Sequence, residues 1–115
     1  MRILTLPVAL APFDMLSGTY PNVPLKMEEY REVTRFWIRR LVHYPKGFWE
    51  CYPETDGKYF DLVKFTNGYG SKVPTVYREW KGLTIGKPNP LWVPPGFLDL
   101  EKDFFIIHLG EIVIV

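Results

Sequence analysis

Three side chains capable of polar chemistry lie close together between Lys26 and Arg31. Lys26, Glu29 and Arg31 follow a K-x-x-E-x-R spacing, in a segment too short to be a solvated run of charges. In an extended strand Glu29 and Arg31 project to the same face, so their carboxylate and guanidinium can pair. Lys26 would fall on the opposite face of an ideal strand, and bringing it to the pair requires a bulge or a bend. The trio therefore predicts a polar pocket suited to a base, a phosphate or an amide.

Two interpretations of the trio compete. In the pocket hypothesis Arg31 anchors an anionic or carbonyl oxygen and Lys26 donates to the ligand. Glu29 orients both side chains or accepts from an exocyclic amine such as cytosine N4. The alternative is a structural ion-pair cluster that holds a helix to a strand. The pocket hypothesis is preferred, because ionisable groups that converge in a cleft are favoured site candidates.

Whether the chain is an enzyme is left open at this point. A hydrolase acting on an amide would use Lys26 as base or nucleophile and Glu29 as proton relay, and these two are the candidate catalytic residues. That chemistry needs a Lys26 that is neutral for part of the time, whereas Glu29 and Arg31 push its titration in opposite directions.

Further candidates for ligand contact lie in two loops. Asn67 and Tyr69 belong to an Asn-Gly-Tyr-Gly stretch whose glycines permit positive φ or close approach of a ligand. Tyr69 is either a stacking platform for a base or a turn aromatic folded over the core. Trp92, in a proline-rich loop, is a third candidate for ligand binding. The Trp49 and Trp92 loops also fit a protein-interaction module, if their aromatic rings are exposed.

Three arginines form a basic helix face, and two histidines are scattered. Arg35, Arg39 and Arg40 could bind phosphate as forked donors, but a solvated helix face is the preferred interpretation. The histidines are far apart in sequence and the chain has a single cysteine, so no metal-ligand spacing is present. Neither a metal nor a cofactor is expected.

Length and composition limit the class of protein. The chain has 115 residues, a formal net charge of +1, 11 Pro and 19 aromatic residues, of which 8 are Phe, 7 Tyr and 4 Trp. This length predicts one domain, residues 1–115, and the proline and aromatic content favours a strand-rich, loop-rich fold. The weak net charge gives no long-range attraction to duplex nucleic acid, but leaves a short single strand or a nucleotide open as partner.

Sequence features also indicate the compartment. The lone Cys51 excludes an intramolecular disulfide, which is typical of a reducing setting. The first ten residues lack a signal-peptide pattern, and no apolar run approaches the ~20 residues of a membrane helix. We therefore expect a cytoplasmic protein without a membrane partner.

Hydrophobic patterning predicts a small mainly-β fold. Helices are predicted at 12–16, stopped by Gly18, and at 35–43, with Thr34 as N-cap. Gly82 suggests a bulge in a long strand. Besides the charged strand, the predicted strands cover 2–8, 59–65 and 75–85. Residues 104–109 and 112–115 form the closing strand or strands, broken at Gly110. The expected class is α+β, mainly β: a small β-barrel with two or three short helices, since closure removes sheet edges.

The order of these elements resembles the ASCH domain family of the PUA-like superfamily of small β-barrels. The family hallmark is a G-x-K-x-x-E-x-R motif, which Gly18, Lys26, Glu29 and Arg31 match, and the resemblance covers nearly the whole chain. The chain departs from the motif in the seven residues Thr19 to Leu25, which separate the glycine from the lysine.

This resemblance implies a PUA-like barrel with a cleft beside the motif strand that receives RNA or a nucleoside-like ligand. Some small members hydrolyse the acetyl amide of N4-acetylcytidine with a Lys and a Thr three residues apart, and another branch is linked to RNA cleavage. The lysine matches Lys26, but Glu29 stands at the threonine position. An RNA- or modified-nucleoside-binding domain is therefore expected, with an amidohydrolase or ribonuclease as the alternative.

Overall fold

The computed structural model describes all of residues 1–115 and confirms the α+β, mainly β class with short helices. The five strands are β1 (Ile3–Val8), β2 (Glu28–Glu32), β3 (Leu62–Asn67), β4 (Thr75–Gly86) and β5 (Phe104–Val113). The three helices are α1 (Leu10–Ser17), α2 (Arg35–Leu41) and α3 (Phe48–Cys51), and a 3₁₀ turn covers Pro90–Trp92. No helix has the length and hydropathy that crossing a bilayer would require.

The strands form one curled, half-barrel sheet in the order β1-β3-β4-β5-β2. β1 pairs with β3 in parallel, and the other three ladders are antiparallel. The two edge strands are therefore β1 and β2, which follow each other closely in sequence and are separated by α1. Curling of the sheet brings these two edges towards each other, and we call the gap between them the seam. The strand that carries the motif, β2, forms one side of this seam.

Local signals in the sequence set several element boundaries as expected. Gly18 ends α1 in the left-handed conformation, at φ 82°, and its N–H donates to the Asp14 carbonyl. The Thr34 hydroxyl accepts from the Trp37 N–H at the start of α2, as its N-cap position predicted. Gly82, at φ 118°, lies where the β4–β5 register shifts, which confirms the predicted bulge.

The predicted break at Gly110 is wrong, because β5 runs through it to Val113. A glycine is required at position 110 because a side chain would collide with β4, and not because the chain turns there. A Cβ added to it would lie 2.8 Å from the Cβ of Glu79 on the neighbouring strand. The glycine thus permits close approach of two strands within a continuous ladder.

The main core is formed by strand residues together with buried side chains of α1 and α2. Its fully buried members include Leu6, Leu16, Leu41, Phe65 and Phe105. A second, smaller cluster of Tyr30, Phe104 and Ile106 lies at the β2–β5 edge and packs against Val93 and Leu98. This second cluster anchors the loop that follows the 3₁₀ turn, and that loop forms one wall of the cleft described next.

Candidate functional site

A cleft of about 390 Å³ opens at the seam between the two edge strands. Arg31 on β2 spans the seam, since its Nη2 lies 3.5 Å from the carbonyl oxygen of Pro7 on β1. The lining residues come from β1 and the start of α1, the motif segment, α2 and the 93–98 loop: Pro7, Val8, Ala9, Pro12, Lys26, Glu29, Tyr30, Arg31, Trp37, Val93, Pro94, Phe97 and Leu98. A volume of this size lies within the range of small-molecule sites.

The motif trio converges at the polar end of this cleft. The Lys26 Nζ lies 3.2 Å from Oε1 of Glu29, and the Arg31 Nη1 lies 3.7 Å from Oε2 of the same carboxylate. Lys26 is 2% exposed and Glu29 5% exposed. The predicted pairing of Glu29 with Arg31 is confirmed, and Lys26 joins the pair as the pocket hypothesis required.

Lys26 reaches the pair because it precedes β2 instead of lying on it. Its backbone N–H donates to the carbonyl of Met15 on α1, at 2.9 Å. Its own carbonyl accepts from the guanidinium of Arg78 at 2.7 Å. These two hydrogen bonds stabilise the bend that was predicted to bring Lys26 to Glu29 and Arg31. They hold the Lys26 backbone against both α1 and β4.

Arg78 on β4 is the residue that sequence reasoning missed. It is fully buried and donates to the carbonyls of Leu16, Lys26 and Gly110, at 3.0, 2.7 and 2.9 Å. No carboxylate lies within ion-pairing distance, and burial lowers the pKa of Arg78 to about 10. The available signal was its place between Val76 and Trp80 on the apolar face of an alternating strand.

The environment of Glu29 keeps its carboxylate ionised. Burial acts to raise the pKa of Glu29, but the charges of Lys26 and Arg31 and the Tyr30 backbone N–H outweigh it. The pKa consequently lies below its ordinary value of 4.5. The Tyr30 N–H donates to Oε1 at 2.9 Å, on the oxygen that Lys26 also contacts. Oε2 accepts no short hydrogen bond from the protein and faces Arg31 alone.

This lowered pKa predicts an acid-dependent loss of stability. As pH falls, the unfolded chain binds the proton first, so the stabilisation is complete above 4.5 and is lost as pH drops through the folded-state pKa below that value. We expect the unfolding free energy of the wild type to fall more steeply below pH 4.5 than that of Glu29→Gln, which cannot titrate there. Urea denaturation from pH 7 to pH 3 measures the two slopes. Parallel slopes would contradict the expectation.

Tyr30 links the motif strand to the loop over the cleft. Its hydroxyl donates to Oε1 of Glu28 at 2.7 Å and accepts from the Asn89 backbone N–H at 3.0 Å. Burial, followed by the hydrogen bond to Glu28, raises the pKa of Tyr30. The Lys26 ammonium lies 5.4 Å from the centre of the Tyr30 ring, within cation–π range. Tyr30 thus positions the loop and also forms part of the cleft.

The remaining walls are apolar and stiff. Prolines at positions 7, 12 and 94 line the cleft together with aliphatic side chains and the indole of Trp37. Trp37 packs against the core, as its helical position predicted, and its ring also faces the Arg31 guanidinium at 5.4 Å. The cleft therefore has one charged end and mainly hydrophobic sides, an arrangement typical of small-molecule sites.

The other predicted ligand contacts lie outside the cleft lining. The Asn67 side-chain amide donates to the Val8 carbonyl at 3.3 Å, behind the wall that Val8 forms. Tyr69 is 87% exposed at a loop tip. Trp92 is partly buried beside the lining residue Val93, and its indole N–H is buried without a hydrogen-bond partner. The structure thus brings Lys26, Glu29 and Arg31 together and leaves these three apart from them.

The site has no three His, Cys, Asp or Glu side chains close enough to hold a metal ion, there or elsewhere in the chain. Comparisons of the chain with protein-family models, with curated proteins and with solved structures find no match.

Proposed function

We propose that this chain is an ASCH-like domain that binds RNA or a modified nucleoside, with the base held in the seam cleft. The observation that carries the proposal is the buried Lys26–Glu29–Arg31 cluster at the end of an apolar cleft. A charge cluster that served only to tie elements together would not need a cavity of about 390 Å³ in front of it.

The donors and acceptors of the cluster favour particular bases. Glu29 Oε2 is available to accept a hydrogen bond, and the Lys26 ammonium has Glu29 as its one carboxylate partner. A ligand edge with an amine beside a ring nitrogen or carbonyl satisfies both groups. Cytosine presents this pattern through N4 and N3, and adenine through N6 and N1, whereas uracil directs O4 at the carboxylate.

Base discrimination tests the proposal. We expect cytidine to bind more tightly than uridine by about ten-fold or more, because one well-formed pair of base contacts is worth about 1–3 kcal/mol. Glu29→Gln replaces an acceptor with an amide that also donates, so the preference should shrink or reverse. Calorimetric titration or NMR shift mapping measures both affinities.

A matched control for this test is Glu32→Gln, which removes the same charge from an exposed position on the same strand. It should keep the wild-type preference. Lys26→Met should weaken both nucleosides, since it removes the donor. Equal affinity of the wild type for cytidine and uridine, or an unchanged ratio in Glu29→Gln, would contradict the assignment of Glu29 as the base reader.

The hydrolase remains the second candidate, because a lysine buried 3.2 Å from an ionised carboxylate resembles an amine–acid catalytic pair. The cleft lining includes no serine or threonine, so Lys26 itself would have to act on the amide. Incubating the protein with N4-acetylcytidine and following cytidine release tests this activity, with Lys26→Met as control. Release by the wild type alone would establish the hydrolase, and binding without release would favour the binding domain.

A further inference from the structure

A second concave surface lies beside the cleft, between α2 and the start of β1. Its cavity is about 720 Å³, larger than the seam cleft. Five of its nine lining residues are cationic, and no aspartate or glutamate lines it. We call it the basic groove and define it by those cations: Arg2, Arg35, Arg39, Arg40 and Lys58.

The charges of the basic groove are not neutralised by the protein. None of its five cations lies within 4.0 Å of a carboxylate oxygen, although other cations of the chain do form ion pairs. Lys58 donates to the Arg39 backbone carbonyl at 2.9 Å, which fixes its position without cancelling its charge. Asp61 Oδ2 accepts from the backbone N–H of Arg2 at 2.7 Å and makes no ion pair with the Arg2 guanidinium.

This concentration is local, since the whole chain has a formal net charge of only +1. The groove holds five of fourteen Lys and Arg residues, which leaves nine against thirteen carboxylates elsewhere. The rest of the molecule is therefore net acidic. An anionic partner would be attracted to this face and repelled by the others, so charge complementarity specifies both the partner and its place.

An exposed aromatic ring accompanies the charges. Phe36 lines the groove, and its side chain is 62% exposed. The Arg40 guanidinium lies 6.0 Å from its ring centre. Alternating cations and exposed aromatic rings are typical of surfaces that bind single-stranded nucleic acid, where phosphates contact the cations and bases stack on the rings.

The basic groove is continuous with the seam cleft. A depression of about 500 Å³ between them is lined by Arg31 and Trp37, which also line the cleft, and by Phe36, which also lines the groove. Glu32 is the one carboxylate that lines it. The edge of the Phe36 ring meets the Trp37 ring at a centroid distance of 4.9 Å. A chain of nucleotides can thus run from the cleft over Phe36 into the groove without leaving the surface.

We propose that the basic groove binds the phosphodiester backbone of single-stranded RNA, so that the cleft takes its base from within an RNA chain. The inference rests on the proposed function for the identity of that base, but the groove's affinity for the backbone stands independently. The proposal also specifies the class of ligand: an oligonucleotide, which makes contacts that a free nucleoside cannot make.

The test compares two triple variants with the same change in charge. Arg35→Gln/Arg39→Gln/Arg40→Gln removes three exposed groove cations, and Lys72→Gln/Lys81→Gln/Lys87→Gln removes three exposed cations outside the groove. Binding of a fluorescent ten-nucleotide oligocytidine RNA is measured at several salt concentrations. Only the groove variant should lose affinity, by about ten-fold or more. Its log–log salt slope should become shallower by about two, since each lost phosphate contact on a single strand contributes about 0.7.

Additional measurements distinguish failure of this inference from failure of the proposed function. The groove variant should bind free cytidine as the wild type does, because its substitutions lie outside the cleft. Phe36→Ala should weaken oligocytidine by about ten-fold with the salt slope unchanged, as expected for lost stacking. If cytidine fails to bind but the groove variant alone loses RNA affinity, the proposed base site fails and the groove stands.

Three outcomes would overturn the inference. One is equal affinity and equal salt slope for the wild type and the groove variant. The second is equal loss in both triple variants, which would indicate a dispersed charge effect. The third is binding of polyglutamate as tight as that of the RNA, which would assign the groove to an acidic protein segment.

Discussion

Arg78→Met is expected to destabilise the protein by about 3–5 kcal/mol. The substitution leaves the buried carbonyls of Leu16, Lys26 and Gly110 without their donor, and each unsatisfied buried group costs about 1–3 kcal/mol. Removal of a desolvated charge offsets part of that cost, which keeps the total below the sum of the three. Urea denaturation measures the change in unfolding free energy.

Two variants sharpen the Arg78 prediction. Arg78→Lys keeps the charge, but its three donors lie on one nitrogen, whereas the guanidinium contacts the three carbonyls from both Nε and Nη1. An intermediate loss is therefore expected. Arg35→Met makes the same substitution at an exposed helix position and should change stability by about 0.5 kcal/mol or less. A loss below about 1 kcal/mol for Arg78→Met would show that other donors replace the guanidinium.

The Arg78 prediction extends to the site, because the guanidinium holds the Lys26 carbonyl at 2.7 Å. Arg78→Lys should therefore weaken nucleoside binding at a temperature where the variant is still folded. Ligand titration of the folded variant, confirmed by near-ultraviolet circular dichroism, measures the effect. Unchanged affinity would mean that α1 alone is sufficient to position Lys26.

Glu29→Ala is expected to cost about 3–5 kcal/mol of stability, the second large effect. It leaves the Lys26 ammonium, 2% exposed, without its carboxylate and removes the acceptor of the Tyr30 N–H. Breaking a buried ion pair by removing one partner costs about this much, because the remaining charge is desolvated and unpaired.

A double-mutant cycle gives the sharpest check on Glu29. The cycle compares Lys26→Met, Glu29→Leu and the double variant, which replaces the pair by apolar side chains of similar volume. The double variant should recover much of the stability lost in Glu29→Leu alone. The double variant should nevertheless fail to bind a nucleoside. If the single and double losses add without coupling, the two side chains do not stabilise each other in the fold.

Much of the local structure could be predicted because it depends on neighbours in sequence. The Gly18 and Thr34 helix boundaries follow from backbone and side-chain hydrogen bonds within a few residues. The mainly-β class and the pairing of Glu29 with Arg31 followed from hydrophobic patterning and the two-residue repeat of a strand. These features need no knowledge of distant segments.

Contacts between segments that are distant in sequence could not be predicted from the local pattern of residues. The role of Arg78 depends on carbonyls 62, 52 and 32 residues away in sequence, and continuity of β5 through Gly110 depends on the close approach of β4. Likewise, Arg35, Arg39 and Arg40 looked like a solvated helix face. Only folding places Arg2 and Lys58 opposite them to form a groove.

The sequence by itself determined which chemical groups are available: an amine, a carboxylate and a guanidinium at fixed spacing between Lys26 and Arg31. The tertiary structure determined the surroundings of these three groups, namely the cleft that they line. The sheet curls so that its two edge strands approach each other, and the resulting seam supplies the apolar walls and buries Lys26 and Glu29. The reason is physical, since hydrogen bonds between neighbouring residues fix local geometry, whereas a cavity exists only where segments distant in sequence pack around it.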